Sequence, residues 1–142
     1  KEGIEFKEYI CTFKVARALD KECEFENYTL QYLRYRYGLD INLGELSPHD
    51  ALADIIVLEQ VVYQLASVLC KQEGIKYEDA FERMVEISCN PNLLHYCTFK
   101  KHKGETWESV ARNHMGYINF FDDKDVDEDV RYTMDYWRAK LA

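Results

Sequence analysis

Apolar residues recur at helical spacing along most of the chain, and breaks at glycine and proline separate the helices that they predict. The predicted helices span about 12–19, 28–37, 48–72, 77–88 and 126–141. The longest begins after Ser47, a good N-cap, and ends near Gly74, which suits a left-handed C-terminal turn. Its apolar positions are Ala51, Ile55, Leu58, Val62, Leu65 and Leu69, widened by Ile56, Val57, Val61 and Val68. A helix this apolar must be covered on more than one side.

Alternating and turn-forming residues predict two smaller β elements. A short strand is expected within 4–12, and a hairpin is expected over 96–107, with Gly104 in its turn. Asn27 and Asp125 are predicted to cap the helices that follow them. The acidic residues 122–129 resemble a calcium loop but lack its central glycine and late glutamate, so helix capping explains them better.

These elements define an α+β fold class that is mainly helical as it stands, with no organising sheet. The apolar surface of helix 48–72 therefore needs a cover that the chain does not visibly supply. An N-terminal sheet upstream of Lys1 or a homodimer partner would provide it.

Length, composition and net charge indicate a folded protein and exclude some functions. The 142 residues are enough for one domain or two small modules, and 47% of them are apolar, which argues against disorder. Five cysteines without a C-x-x-C pair indicate reduced thiols in a cytoplasmic protein, and no membrane span is expected. The net charge of −8 excludes a broadly basic surface, so a nucleic-acid role requires a local basic patch.

His49 and Asp54 are the candidate catalytic pair. A histidine at a helix mouth and a carboxylate in its first turns suit phosphodiester hydrolysis, in which a carboxylate binds a divalent cation and an imidazole takes a proton from water. Two residues cannot hold two cations, so further carboxylates would have to converge there. Without other support, a solvated polar helix edge is the commoner explanation of such a pair.

The surrounding sequence adds a resemblance. The segments 10–19 (ICTFKVARAL), 27–33 (NYTLQYL) and 49–54 (HDALAD) are similar, in order and spacing, to the second half of DEDDh 3′–5′ exonucleases. These enzymes have an RNase H-like fold and include polymerase proofreading subunits and exodeoxyribonuclease X-like proteins. The resemblance implies that His49 is the general base and that Asp54 is a ligand of a two-metal Mg²⁺ or Mn²⁺ site. The implied substrate is the 3′ end of single-stranded DNA, with RNA as a possibility.

The second half of the chain looks like the C-terminal module of exodeoxyribonuclease X-like proteins. Segments 87–91 (ISCNP) and 99–104 (FKKHKG) carry that similarity, although Lys100 stands where glycine is usual. The expected domains are therefore 1–72, the C-terminal half of the exonuclease domain, and 73–142, the module. The family's Asp-x-Glu motif and its second aspartate are absent, so we expect the isolated chain to be inactive without the missing N-terminal exonuclease segment.

The one dense positive cluster lies at the predicted hairpin. Its members are Lys100, Lys101, His102, Lys103, Arg112 and His114, beside Tyr96, Phe99 and Trp107, and the residues expected to contact nucleic acid are Lys100, Lys101, His102, Lys103 and Trp107. Lysines on phosphates and aromatic rings on bases would bind single-stranded nucleic acid, whereas a solvated turn anchored by its aromatics is an equally good explanation. An alternative function follows: a catalytically dead RNase H-like remnant that serves as a DNA-binding or protein-docking module.

Overall fold

The computed structural model describes residues 7–47 and 49–142, and this part of the chain is mainly helical, as predicted. Its helices are α1 (Thr12–Leu19), α2 (Leu30–Arg36), α3 (Ala51–Glu73), α4 (Tyr77–Cys89), α5 (Trp107–Asn113), α6 (Met115–Phe120) and α7 (Glu128–Leu141). A short 3₁₀ turn spans Lys100–His102. No strand occurs among these residues, and the predicted strand within 4–12 lies partly outside them.

The chain divides into two compact units. The first contains Glu24–Cys89 with the chain before Lys21, and the second contains Lys21–Cys23 and Asn90–Ala142. Helix α4 packs against α1 and α3, so the first unit ends after Cys89 rather than at residue 72. The assignment of the two stretches to an exonuclease half and a C-terminal module stays a prediction.

Helix α3 is the centre of the first unit. One of its faces is fully buried and carries Ala53, Val57, Val61, Leu65, Ala66 and Leu69. Helices α1, α2 and α4 cover that face with a shared apolar core. Polar contacts fix the packing: the backbone N–H of Cys11 donates to Ser88 Oγ at 2.8 Å, and Gln72 Nε2 donates to the Leu19 carbonyl at 2.9 Å.

The ends of α3 confirm one prediction and correct another. Gly74 terminates the helix with a left-handed φ of 65°, as predicted. The N-cap, however, is Asp50 and not Ser47. The Asp50 carboxylate instead accepts a hydrogen bond from the Ser47 N–H at 2.9 Å, which closes a turn just ahead of the helix.

The predicted apolar stripe of α3 is rotated relative to the buried face. Leu65 and Leu69 are buried as expected, but Ile55 is 60% exposed and Leu58 is 41% exposed. Because α3 is apolar over most of its circumference, the pattern could not determine which face would meet α1, α2 and α4. An apolar surface is consequently left on the N-terminal half of the helix.

Helix α3 is also, among the described residues, the one helix long and apolar enough to cross a membrane. Its most apolar 18-residue window has a mean hydropathy of 1.6, and 33% of that window is buried within the protein. Central helices of soluble proteins have the same length and composition, so this property is weak support for a membrane location.

The second unit packs α5, α6 and α7 around the buried Trp107, Ile118 and Met134. Asp127, not the predicted Asp125, caps α7 by accepting from the N–H groups of Asp129 and Val130. The acidic run therefore does serve helix capping, two residues later than expected.

The predicted β-hairpin is reduced to a single antiparallel bridge between Tyr96 and Thr106. The 3₁₀ turn occupies part of the predicted basic turn, and Gly104 follows it with a φ of 87°. Helices α5 and α6 were not predicted. They have only 7 and 6 residues, which is too short for a clear 3.6-residue period.

Candidate functional site

The predicted catalytic pair lies at the N-terminal end of α3. His49 precedes the helix with an exposed side chain and a φ of 79°, one of two positive values among the described non-glycine residues. Asp54 lies in the first turn of α3, where it is partly exposed. Its backbone N–H donates to the Asp50 carbonyl at 3.0 Å, so its position on the helix is fixed.

No metal-binding cluster surrounds this pair in the part of the chain that the structure describes. The one group of three or more potential ligands found there is in the second unit and contains neither His49 nor Asp54. One carboxylate and one imidazole do not fit the requirement for a two-cation Mg²⁺ or Mn²⁺ site. The isolated chain therefore does not contain such a site among the described residues.

The uncovered apolar side chains of α3 lie beside this pair along the helix. Leu52, Ile55 and Leu58 are 56%, 60% and 41% exposed. Three large aliphatic side chains so close together exceed the isolated apolar residues usual on a protein surface. Among the described residues, the region around Asp54 thus lacks the further carboxylates of a two-metal site and has an exposed apolar surface.

The predicted nucleic-acid-binding residues separate into exposed and buried groups. Lys100, Lys101 and Lys103 are exposed on the 3₁₀ turn and immediately after it, so their ammonium groups are available to phosphate. His102 is only 6% exposed and Trp107 only 1%. These two rings cannot contact a nucleic acid as placed, which corrects their predicted role.

The buried rings instead anchor the basic turn to the second unit. Trp107 packs edge-on against Phe99 with ring centroids 5.8 Å apart. The Gly104 N–H donates to the Cys97 carbonyl at 3.0 Å, and Lys101 Nζ lies 5.5 Å from the centre of the Tyr117 ring. These contacts fix the basic turn to the rest of the second unit.

His102 belongs to a group of potential metal ligands that was not predicted from the sequence. Its Nδ1 lies 2.9 Å from Glu105 Oε1, and its ring centroid lies 4.7 Å from that of His114. One potential ligand atom from each of the three residues lies within 4.8 Å of the other two. The sequence analysis grouped His102 and His114 as positive residues but gave no indication that Glu105 lies beside them.

Titration behaviour in this unit follows from burial. Burial raises the pKa of the Cys97 thiol, which outweighs the lowering by a hydrogen bond to the Phe99 backbone. Burial also raises the pKa of the Tyr117 hydroxyl beside His102. Both groups are thus held in their neutral forms over a wider pH range than usual.

All five cysteines are free thiols in the structure. Only Cys97 is fully buried, whereas the other four are partly exposed.

No protein family, curated protein or solved structure matches the chain. The exonuclease resemblance therefore stays a prediction. Arguments about function depend on the arrangement of the residues described above.

Proposed function

We propose that this chain is the C-terminal part of a metal-dependent 3′–5′ exonuclease that removes nucleotides from the 3′ ends of single-stranded DNA. Asp54 supplies one metal-binding carboxylate and His49 the general base. The remaining carboxylates come from an upstream segment, and the chain alone is inactive.

The placement of His49 is the observation that supports this proposal most. An exposed histidine in a left-handed backbone conformation is uncommon, because L side chains crowd the following carbonyl there. Uncommon conformations are concentrated at functional sites, where strain positions a side chain. Here the conformation precedes the helix that carries Asp54 in its first turn, and this arrangement supports the proposed pairing of the two residues.

The uncovered apolar surface beside Asp54 supports the need for an additional segment. Burying Leu52, Ile55 and Leu58 against a sheet would stabilise the assembly by roughly 1–2 kcal/mol for each side chain. The same sheet could bring the missing carboxylates close to Asp54.

Substitution of Asp54 tests the proposed catalytic role. In a protein extended upstream to include the Asp-x-Glu motif, Asp54→Asn should reduce 3′-end trimming of labelled single-stranded DNA by at least about 100-fold, as expected when one metal ligand is lost. Glu45→Gln, which neutralises another exposed acid close by in sequence, should leave the rate unchanged. Equal rates for the two variants would refute the role of Asp54.

The second candidate function is binding without catalysis, and the exposed lysines favour it. Lys100, Lys101 and Lys103 give a compact positive site on an otherwise acidic chain. Under this proposal the chain binds single-stranded DNA through phosphate contacts and displaces counterions.

Fluorescence anisotropy of labelled oligonucleotides at several salt concentrations tests the binding function. Replacing the three lysines by glutamine should reduce the slope of log binding constant against log salt concentration by about 2. Each lost phosphate contact with a single strand contributes about 0.7 to that slope. A matched triple variant at the exposed Lys7, Lys71 and Lys76 should retain the full slope. Identical slopes for both variants would exclude the basic turn as the DNA contact.

A further inference from the structure

We propose that His102, Glu105 and His114 form a binding site for one divalent transition-metal ion of the zinc class. The site lies in the second unit and involves none of the residues assigned to exonuclease chemistry. It does not depend on the proposed function.

The distances among the three residues are close to those of a metal site. In a tetrahedral zinc site with bonds of about 2.0–2.1 Å, ligand atoms are roughly 3.3 Å apart. His102 Nδ1 and Glu105 Oε1 are 2.9 Å apart, and all three potential ligand atoms lie within 4.8 Å of one another. His114 contributes the third atom from the C-terminal end of α5, where its side chain is exposed.

The second observation is an unpaired buried nitrogen. The His102 ring is 6% exposed, and its Nε2 has no hydrogen-bond partner among the described residues. An unpaired buried polar atom costs about 1–3 kcal/mol. Metal-bound histidines commonly use one ring nitrogen for the ion and the other for a carboxylate or carbonyl.

Two coordination modes can be built from the same three residues, and only coordination through His102 Nε2 gives that buried nitrogen a partner. Coordination through His102 Nε2 would retain the Glu105 hydrogen bond to Nδ1 and use that carboxylate to orient the ring. Coordination through Nδ1 would place Glu105 directly on the ion. Each mode leaves at least one position on the ion for water.

The chemistry of the donors selects the class of metal. Imidazole nitrogen suits zinc, cobalt, nickel and copper, whereas magnesium and calcium prefer sites made wholly of oxygen. This site should therefore discriminate against the Mg²⁺ that the exonuclease hypothesis invokes. The two metal requirements are separable by experiment.

The location of the site indicates what the metal would do. His102 ends the 3₁₀ turn that carries the exposed lysines, and His114 caps the C-terminal end of α5. A bound ion would link these two segments across the second unit. It would thereby stabilise the fold and fix the basic turn.

Metal binding can be measured directly on the full chain, reduced and without a histidine tag. Titration calorimetry with Zn²⁺ should show one ion per chain, and zinc but not magnesium should raise the melting temperature. His114→Asn should weaken zinc binding by at least about 100-fold, because loss of even an outer-shell partner typically costs about 10–100-fold. His95→Asn changes another exposed histidine of the same unit and should bind like the unmodified chain.

Two further measurements keep the result interpretable. Glu105→Gln should weaken zinc binding by about tenfold or more, with helical circular dichroism retained. The absorption spectrum of bound Co²⁺ should lack a thiolate charge-transfer band, since no cysteine belongs to the site. Absence of zinc binding, equal affinities for the His114 and His95 variants, or a thiolate band would overturn the proposal.

Discussion

His49, the proposed general base, has an uncommon backbone conformation. A φ of 79° places it in the left-handed region, which costs a residue with a β-carbon roughly 1–2 kcal/mol. The sequence identified His49 and Asp54 as a candidate pair but gave no sign of this conformation, because histidine has no turn preference as strong as that of glycine.

Substitutions at residue 49 should separate stability from activity. Glycine adopts a positive φ without steric cost, so His49→Gly should be more stable than His49→Ala by about 1 kcal/mol in urea unfolding. Both variants should lack the general base of the extended enzyme. An alanine variant as stable as the glycine variant would show that this backbone conformation does not persist in solution.

Cys97 provides a test of burial in the second unit. Its thiol is fully buried and its pKa is raised, so at any given pH less of it is the reactive thiolate. We expect Cys97 to be alkylated more slowly than the partly exposed Cys23 in the folded protein at mildly alkaline pH. Mass spectrometry of quenched samples would measure both rates, and faster labelling of Cys97 would contradict the packing described for this unit.

The burial of His102 could not be predicted from its neighbours in the sequence. In the sequence it stands among three lysines, which indicated an exposed, DNA-binding side chain. In the structure it is buried, with Glu105 hydrogen-bonded to its ring and the His114 and Tyr117 rings packed against it. A pattern of charges cannot reveal such inward rotation.

At the scale of elements, α3 and α4 could be predicted since each has a long apolar period and a clear terminator. The orientation of α3 could not. Ala53 and Ala66 lie on the buried face with Val57, Val61, Leu65 and Leu69, while Leu52, Ile55 and Leu58 remain exposed. Tertiary packing, not periodicity, selected the buried face.

Core substitutions in α3 test that orientation. Leu65→Ala removes a fully buried side chain and should cost about 2–5 kcal/mol, whereas Leu58→Ala at a 41% exposed position should cost less than about 1 kcal/mol. Urea unfolding monitored by circular dichroism would measure both. A larger loss at Leu58 would mean that the predicted stripe, and not the observed face, is buried.

Substitutions at Asp127 and Asp125 test which of these residues caps α7. Asp127 accepts hydrogen bonds from two backbone N–H groups, so Asp127→Ala should lower the free energy of unfolding by about 0.5–2 kcal/mol. Asp125→Ala removes an equal charge just before the cap and should change stability by less than about 0.5 kcal/mol. Equal effects would indicate a general charge effect in place of capping.

At the scale of the whole molecule, the described chain contains two helical units and no strand. Its mainly helical class was predictable because long amphipathic segments dominate the sequence. The division after Cys89 was not, since α4 joins the first unit through packing with α1 and α3. An apolar surface is exposed near Asp54, and the expected need for another segment or partner stays a prediction.

The most direct test of the central claim is nuclease activity on labelled single-stranded DNA with Mg²⁺ or Mn²⁺. This chain should be assayed beside a protein extended upstream through the predicted Asp-x-Glu motif. We predict that only the extended protein removes nucleotides from the 3′ end, because this chain supplies only part of the metal site. Activity of the isolated chain, or inactivity of an extended protein that carries the motif, would contradict the account.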